Sequence, residues 1–169
     1  MRIPAASFIA VVASILALQA QQPGGLIDPP AGARVVLKAK GDGVQVYTCT
    51  AAQARLNWVF QAPDARLLDD SGKTIGKHFA GPTWQLDDGS QVQGQLIASR
   101  PAPEADSVAW LLLEAKAGTA TGTLADVQFI QRTETHGGVA PASGCASPGD
   151  AGKIVRIPYT ATYRFFAEK

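Results

Sequence analysis

The chain has 169 residues, 46% of them hydrophobic and 17% charged, with 15 Lys and Arg set against 14 Asp and Glu. That length supplies one core of ordinary size, in which a domain buries about two-thirds of its unfolded surface, and falls short of two comfortable domains. Balanced charge, with no basic cluster interleaved with aromatics, gives no general attraction for nucleic acid or anionic lipid, so neither is expected as a partner.

Met1 to Ala20 form a separate unit. Arg2 precedes an uncharged run from Ile3 to Leu18, and Ala20 is followed by Gln21, Gln22 and Pro23. The pattern reads as a secretory signal peptide at residues 1–20. An uncleaved anchor is the alternative, because Leu18 fits poorly ahead of a cleavage site. The run is slightly short for a membrane span, and no cysteine follows it to carry a lipid. Cleavage takes Arg2 away, balances the charges and delivers a periplasmic or extracellular protein without a membrane attachment. Residues 21–33, rich in Pro and Gly, read as a flexible lead-in to a single β domain at residues 34–169.

Residues 35–37 and 44–49 read as the first two strands, with Gly41, Asp42 and Gly43 as the turn between them. Short strands are expected at 57–60, 65–68, 74–79, 83–86 and 91–99. Asp69-Asp70-Ser71-Gly72 and Asp87-Asp88-Gly89-Ser90 supply turns, since small polar residues and glycine suit a reversing backbone. Such close spacing favours hairpins over crossover helices. Residues 108–114 are apolar on both strand faces and predict a strand covered on both sides. Strands at 126–132 and 159–165 complete the series, the last placing Tyr159, Ala161, Tyr163 and Phe165 on one side. Helical turns are expected only at 51–55 and 123–126. The sum is an all-β fold, an antiparallel sandwich or barrel of nine or ten strands, with the choice of closure left open.

Cys49 and Cys145 are the two cysteines, and in an exported chain an even pair is most simply one disulfide. It closes a loop of about a hundred residues, worth at most about 5 kcal/mol on the chain-entropy model. No Cys-x-x-Cys is present, so a redox or zinc role lacks its usual spacing. No metal centre and no cofactor is expected.

Several motifs occur in a fixed order: Val46-Tyr47-Thr48-Cys49; Trp58-Val59-Phe60 with Pro63; and His78-x-x-Gly81-Pro82-x-Trp84-x-x-x-Asp88-Gly89-Ser90. They are followed by Trp110 with its leucines, Ile130-Gln131-Arg132, Gly137-Gly138, Cys145, and Tyr159-x-Ala161-x-Tyr163. Together they resemble an uncharacterised family of exported bacterial and fungal proteins, the domain of unknown function 3455, over roughly residues 44–165. The resemblance implies an exported domain with no assigned activity, so it transfers no catalytic residue. Some fungal members carry a malate dehydrogenase label. This chain argues against it, for it has neither a Gly-x-Gly-x-x-Gly turn nor alternating strands and helices.

Candidate chemistry centres on the 76–90 hairpin. His78 could bind a metal, move a proton or contact a ligand. With His136 and an Asp it could clasp copper or zinc, although the spacing gives no metal motif. Ser90 and Asp88 beside His78 can be drawn as nucleophile, orienter and base, without the Gly-x-Ser-x-Gly elbow. Trp84, with Asp88, Ser90 and Gln93 nearby, suits stacking against a sugar ring or gripping a protein.

The leading expectation is therefore a non-enzymatic binding module for a carbohydrate or envelope component, through His78, Trp84, Asp88, Ser90 and Gln93. A protein-interaction or inhibitor module and a metal-binding or hydrolytic protein using His78 are the alternatives. For the processing step, N-terminal sequencing of the exported protein is expected to begin at Gln21; a chain beginning at Met1 would establish the anchor instead.

Overall fold

A computed structural model of the chain describes residues 25–52 and 55–168; the expected signal segment lies outside the described residues. Among them run eight strands: β1 (Arg34–Ala52), β2 (Arg55–Leu68), β3 (Thr74–Phe79), β4 (Thr83–Leu86), β5 (Gln91–Arg100), β6 (Trp110–Gly118), β7 (Phe129–Gly137) and β8 (Ile154–Ala167). Each pairs antiparallel with the next, and β8 returns to β1, so one sheet closes on itself in barrel order. Closure gives every strand a neighbour on both sides, although residues 55–64 of β2 pair only with β1 and residues 95–100 of β5 only with β6.

Eight strands replace the nine or ten expected, for a physical reason. Gly41, Asp42 and Gly43 do not turn; they lie inside β1, paired with Leu67 to Ala65 on one side and Ala161 to Tyr159 on the other. Glycine is needed there for close approach. A Cβ on Gly41 would come within 2.6 Å of the Tyr163 ring, and one on Gly43 within 2.5 Å of Ala65 Cα. The break expected around Pro63 is likewise bridged, since β2 runs through it with a register shift between Val46 and Tyr47 of β1. Of the two helical turns expected, the one at 123–126 is a hydrogen-bonded turn, with Val127 N–H donating to the Leu124 carbonyl at 3.2 Å. Residues 51 and 52 belong to β1, and 53–54 lie outside the described residues.

Alternation sends Leu67, Val92, Leu113, Ile130 and Phe165 inward, all nearly or wholly buried. On β6, neighbouring Leu112 and Leu113 are both buried, so this strand is covered on both faces as its apolar pattern predicts. Up-and-down order places the connections alternately at the two ends. At the lower end, the β6–β7 connection brings buried Leu124 and Val127 into the core cluster. At the upper end lie 80–82, 101–109 and 138–153.

Two attachments dress this frame. Part of the expected lead-in is docked outside the sheet, where buried Ile27 accepts a 2.9 Å hydrogen bond at its carbonyl from Gln131 Nε2. The long β7–β8 connection is fastened to β1 and β2. The Cys49–Cys145 disulfide holds it at a Cα separation of 5.5 Å. Tyr47 Oη donates to the Gly138 carbonyl at 2.7 Å and Trp58 Nε1 to the Ser143 carbonyl at 2.9 Å.

Cys49→Ala with Cys145→Ala is expected to lower unfolding free energy by up to about 5 kcal/mol, since the closed loop spans 96 positions. Gly43→Ala is expected to cost about 1–3 kcal/mol through overpacking against β2 backbone. Chemical denaturation checks both; wild-type midpoints would contradict the bridge and the close approach.

Candidate ligand-binding cavity

The central pair is His78 and Trp84, opposite one another across β3 and β4. Both point inward, 3% and 1% exposed. Their rings stack at 4.3 Å with 7° between planes, and Tyr163 meets them edge-on at 5.1 and 5.5 Å. Phe165 lies against Trp84 at 5.9 Å. His78 Nδ1 stands 2.8 Å from the Thr83 carbonyl oxygen. A carbonyl only accepts, so Nδ1 carries the proton and Nε2 is left as the acceptor. Burial pushes the His78 pKa down to about 3; the Thr83 hydrogen bond opposes this and the charge of Arg132 adds to it. The imidazole is therefore neutral near pH 7.

Above this cluster the interior is not filled. A cavity of about 630 Å³ opens towards the upper end, within the range of small-molecule sites. His78, Trp84 and Tyr163 form its floor, with Tyr47, Phe60 and Leu111 on its walls. At the mouth, Phe60 and Leu96 are 48% and 53% exposed. Gly94 helps to keep the space open, because a Cβ there would already sit 3.2 Å from the Trp84 ring.

A few polar groups face this apolar space. Arg132, on the inward side of β7, donates Nε and Nη2 to the Ala109 carbonyl at 3.1 and 2.7 Å. Tyr159 and Tyr163 hydroxyls lie 3.2 Å apart, and burial pushes both phenols up, so both are neutral. Gln45 is 2% exposed. Its side chain lies close enough to Tyr159 to favour the ionised phenol slightly, yet Nε2 has no partner with hydrogen-bond geometry. Trp84 Nε1 is also buried without a partner among the described residues.

The other expected site residues lie elsewhere. Asp88 and Ser90 sit at the lower end, in the β4–β5 turn. Asp88 Oδ1 accepts from Ser90 N–H and Oγ at 2.8 and 2.6 Å. Its Oδ2 accepts from Thr123 N–H and Oγ1 at 2.9 and 2.7 Å. The hydrogen bonds from Ser90 and Thr123 hold this carboxyl well below the ordinary range. This latch ties two turns together and commits the Ser90 hydroxyl to Asp88, while His78 bonds Thr83 at the far end of β4. The Ser90–Asp88–His78 arrangement is thus not assembled.

Gln93 Nε2 donates to the Gly81 carbonyl at 2.7 Å, bracing the corner beside the mouth. His136 pairs with Glu104 at 2.7 Å on the exposed side of β7, apart from His78. Among the described residues no group of three or more His, Cys, Asp or Glu is placed to hold a metal ion.

Arg132 and Gln45 escaped the sequence reading as site residues, although a signal exists. Each shares the inward parity of its strand, Arg132 with Ile130 and Gln45 with Tyr47, and a charge or amide at an inward position marks a polar group facing the interior.

Fold and interior define a closed antiparallel β module with an aromatic-walled internal cavity. The chain belongs to the family described as protein of unknown function, DUF3455, whose model matches residues 30–167. No curated protein and no solved structure matches the chain.

The buried histidine and the latch make opposite ends of the acid range informative. His78 titrates near 3 in the fold against 6.5 unfolded, so the native state binds fewer protons between those values and stability falls as pH drops through that window. His78→Gln is expected to flatten the loss between pH 6.5 and 4. Asp88 contributes stability above its ordinary value of 3.8 that is lost as pH falls further. Asp88→Asn is expected to flatten the curve only below about pH 4. Denaturant midpoints measured across pH check both windows; parallel curves for all three proteins would contradict the assignment.

Proposed function

We propose that the chain is an exported binding module that encloses a small, mostly apolar molecule within the closed sheet. The observation that carries this reading is the cavity of about 630 Å³ floored by the stacked His78 and Trp84 rings. A disulfide joining β1 to the β7–β8 connection supports an oxidising compartment, as outside the cytoplasm. Among the described residues no helix is long and apolar enough to cross a membrane.

The ligand class differs from the carbohydrate first expected. A sugar platform needs an exposed ring face, and Trp84 is 1% exposed. An apolar envelope component or another small hydrophobic molecule fits the rings and leucines better. His78, neutral and flat against Trp84 with Nδ1 tied to Thr83, acts here as a wall that also presents one acceptor nitrogen.

Thermal unfolding with and without small aromatic and aliphatic compounds tests this. A ligand at a hundred times its dissociation constant adds about 2.7 kcal/mol, enough to raise the melting point by several degrees. Leu111→Trp, which fills the cavity, is expected to unfold cooperatively and lose the shift. An identical shift in that variant would place binding elsewhere and contradict the proposal.

A further inference from the structure

The polar groups of the cavity are strongly one-sided. Arg132 is the one charged residue among those that line it, and no Asp or Glu does so among the described residues. The hydrogen bonds from its Nε and Nη2 go to a neutral acceptor, the Ala109 carbonyl. A cation in such surroundings is incompletely compensated, and attraction for an anion is stronger there than in water.

Gln45 and Trp84 add donors rather than negative charge. Among the described residues, Gln45 Nε2 and Trp84 Nε1 are both buried without a hydrogen-bond partner. Gln45 bears on Tyr159 and Arg132 on Tyr163, and those two hydroxyls lie 3.2 Å apart, so cation and amide converge on one side of the space. The opposite requirement is apolar, set by Phe60, Leu111, Leu113 and the His78–Trp84 stack.

We propose that the cavity selects small monocarboxylates with an apolar body, the carboxylate held by Arg132 and Gln45 Nε2 and the body laid against the Trp84 and His78 rings. This rests on the binding reading above and names its ligand class. A charge-assisted hydrogen bond from guanidinium to carboxylate is about twice as strong as a neutral one, and Gln45 adds a buried donor beside Tyr159 with no partner at hydrogen-bond geometry among the described residues. A neutral molecule of the same shape would satisfy the walls and leave the cation without its counter-charge. Flat aromatic acids and short acyl chains share this chemistry.

Calorimetric titration of the full chain, disulfide intact, at pH 7 with 1-naphthoate, the neutral 1-naphthamide and decanoate separates these cases. At least one acid is expected to bind, with 1-naphthoate or decanoate at least tenfold tighter than the amide. The preferred acid tells whether a flat ring or an acyl chain fits better.

Arg132→Gln is expected to reduce the acid-to-amide ratio towards one, with the acid losing more affinity than the amide. If that variant does not fold, Gln45→Leu takes its place, with an expected several-fold fall in the ratio, alongside the parent protein's own preference. Amide binding as tight as the acids would overturn the carboxylate inference and leave the binding module standing. No binding by any of the three probes would overturn both.

Discussion

Pairing of β8 with β1 is the interaction on which the molecule depends. It runs in register from Arg34 opposite Ala167 to Thr48 opposite Ile154, with one shift near Val35. Because it joins the last strand to the first, it converts a meander with two open edges into a closed sheet with an inside and an outside. Two glycines let β1 fit between its two neighbours, β8 and β2. At Gly41 the Tyr163 ring lies across the backbone, and at Gly43 the β2 backbone comes close, so either side chain would push neighbouring strands apart. Once the sheet is closed, alternation alone decides which residues meet in the interior.

The two ends of that interior are treated differently. The lower end is packed, with Leu124 and Val127 folded into the core and the Asp88 carboxylate binding Ser90 and Thr123. The upper end is held apart by long β1 and β2 strands, and by a connection fastened through Cys145, Gly138 and Ser143. Buried donors left without partners each cost on the order of 1–3 kcal/mol, so Gln45 and Trp84 are expensive as mere packing. They are better understood with the cavity that they face. Stability concentrated below and unsatisfied polarity concentrated above are what a rigid binding scaffold requires.

Much of the fold was legible because period-two alternation is local. Tyr159, Ala161, Tyr163 and Phe165 share one face in the sequence and share the interior of the molecule. The Asp-Ser-Gly and Asp-Gly-Ser turns reverse the chain where their chemistry says they should, and the two cysteines are joined. What was not legible depends on partners distant in sequence. Gly41 and Gly43 look like a hairpin turn until Tyr163 and Ala65 are known to lie beside them.

The 76–90 segment looked like one site, yet β4 carries His78's partner at one end and the Asp88 latch at the other. Trp84 and His78 were both expected in the site, but only closure shows that they stack and floor a cavity. Arg132 entered only as part of the Ile130-Gln131-Arg132 family motif, because one charged residue in an alternating strand does not by itself mark a site. Its meaning comes from the absence of lining carboxylates among the described residues, a property of eight strands together.

The central claim, that this interior receives a ligand, is tested most directly through the three tryptophan indole N–H resonances in a nitrogen-15 correlation spectrum. Trp84 lines the cavity, Trp58 bonds the Ser143 carbonyl beside the disulfide, and Trp110 stacks under Arg100 at 4.5 Å at the start of β6. Titration with whichever of 1-naphthoate and decanoate binds tighter is predicted to move the Trp84 indole resonance progressively to saturation while those of Trp58 and Trp110 hold their positions. A saturating shift confined to Trp58 or Trp110, or no shift at any of the three, would contradict the account.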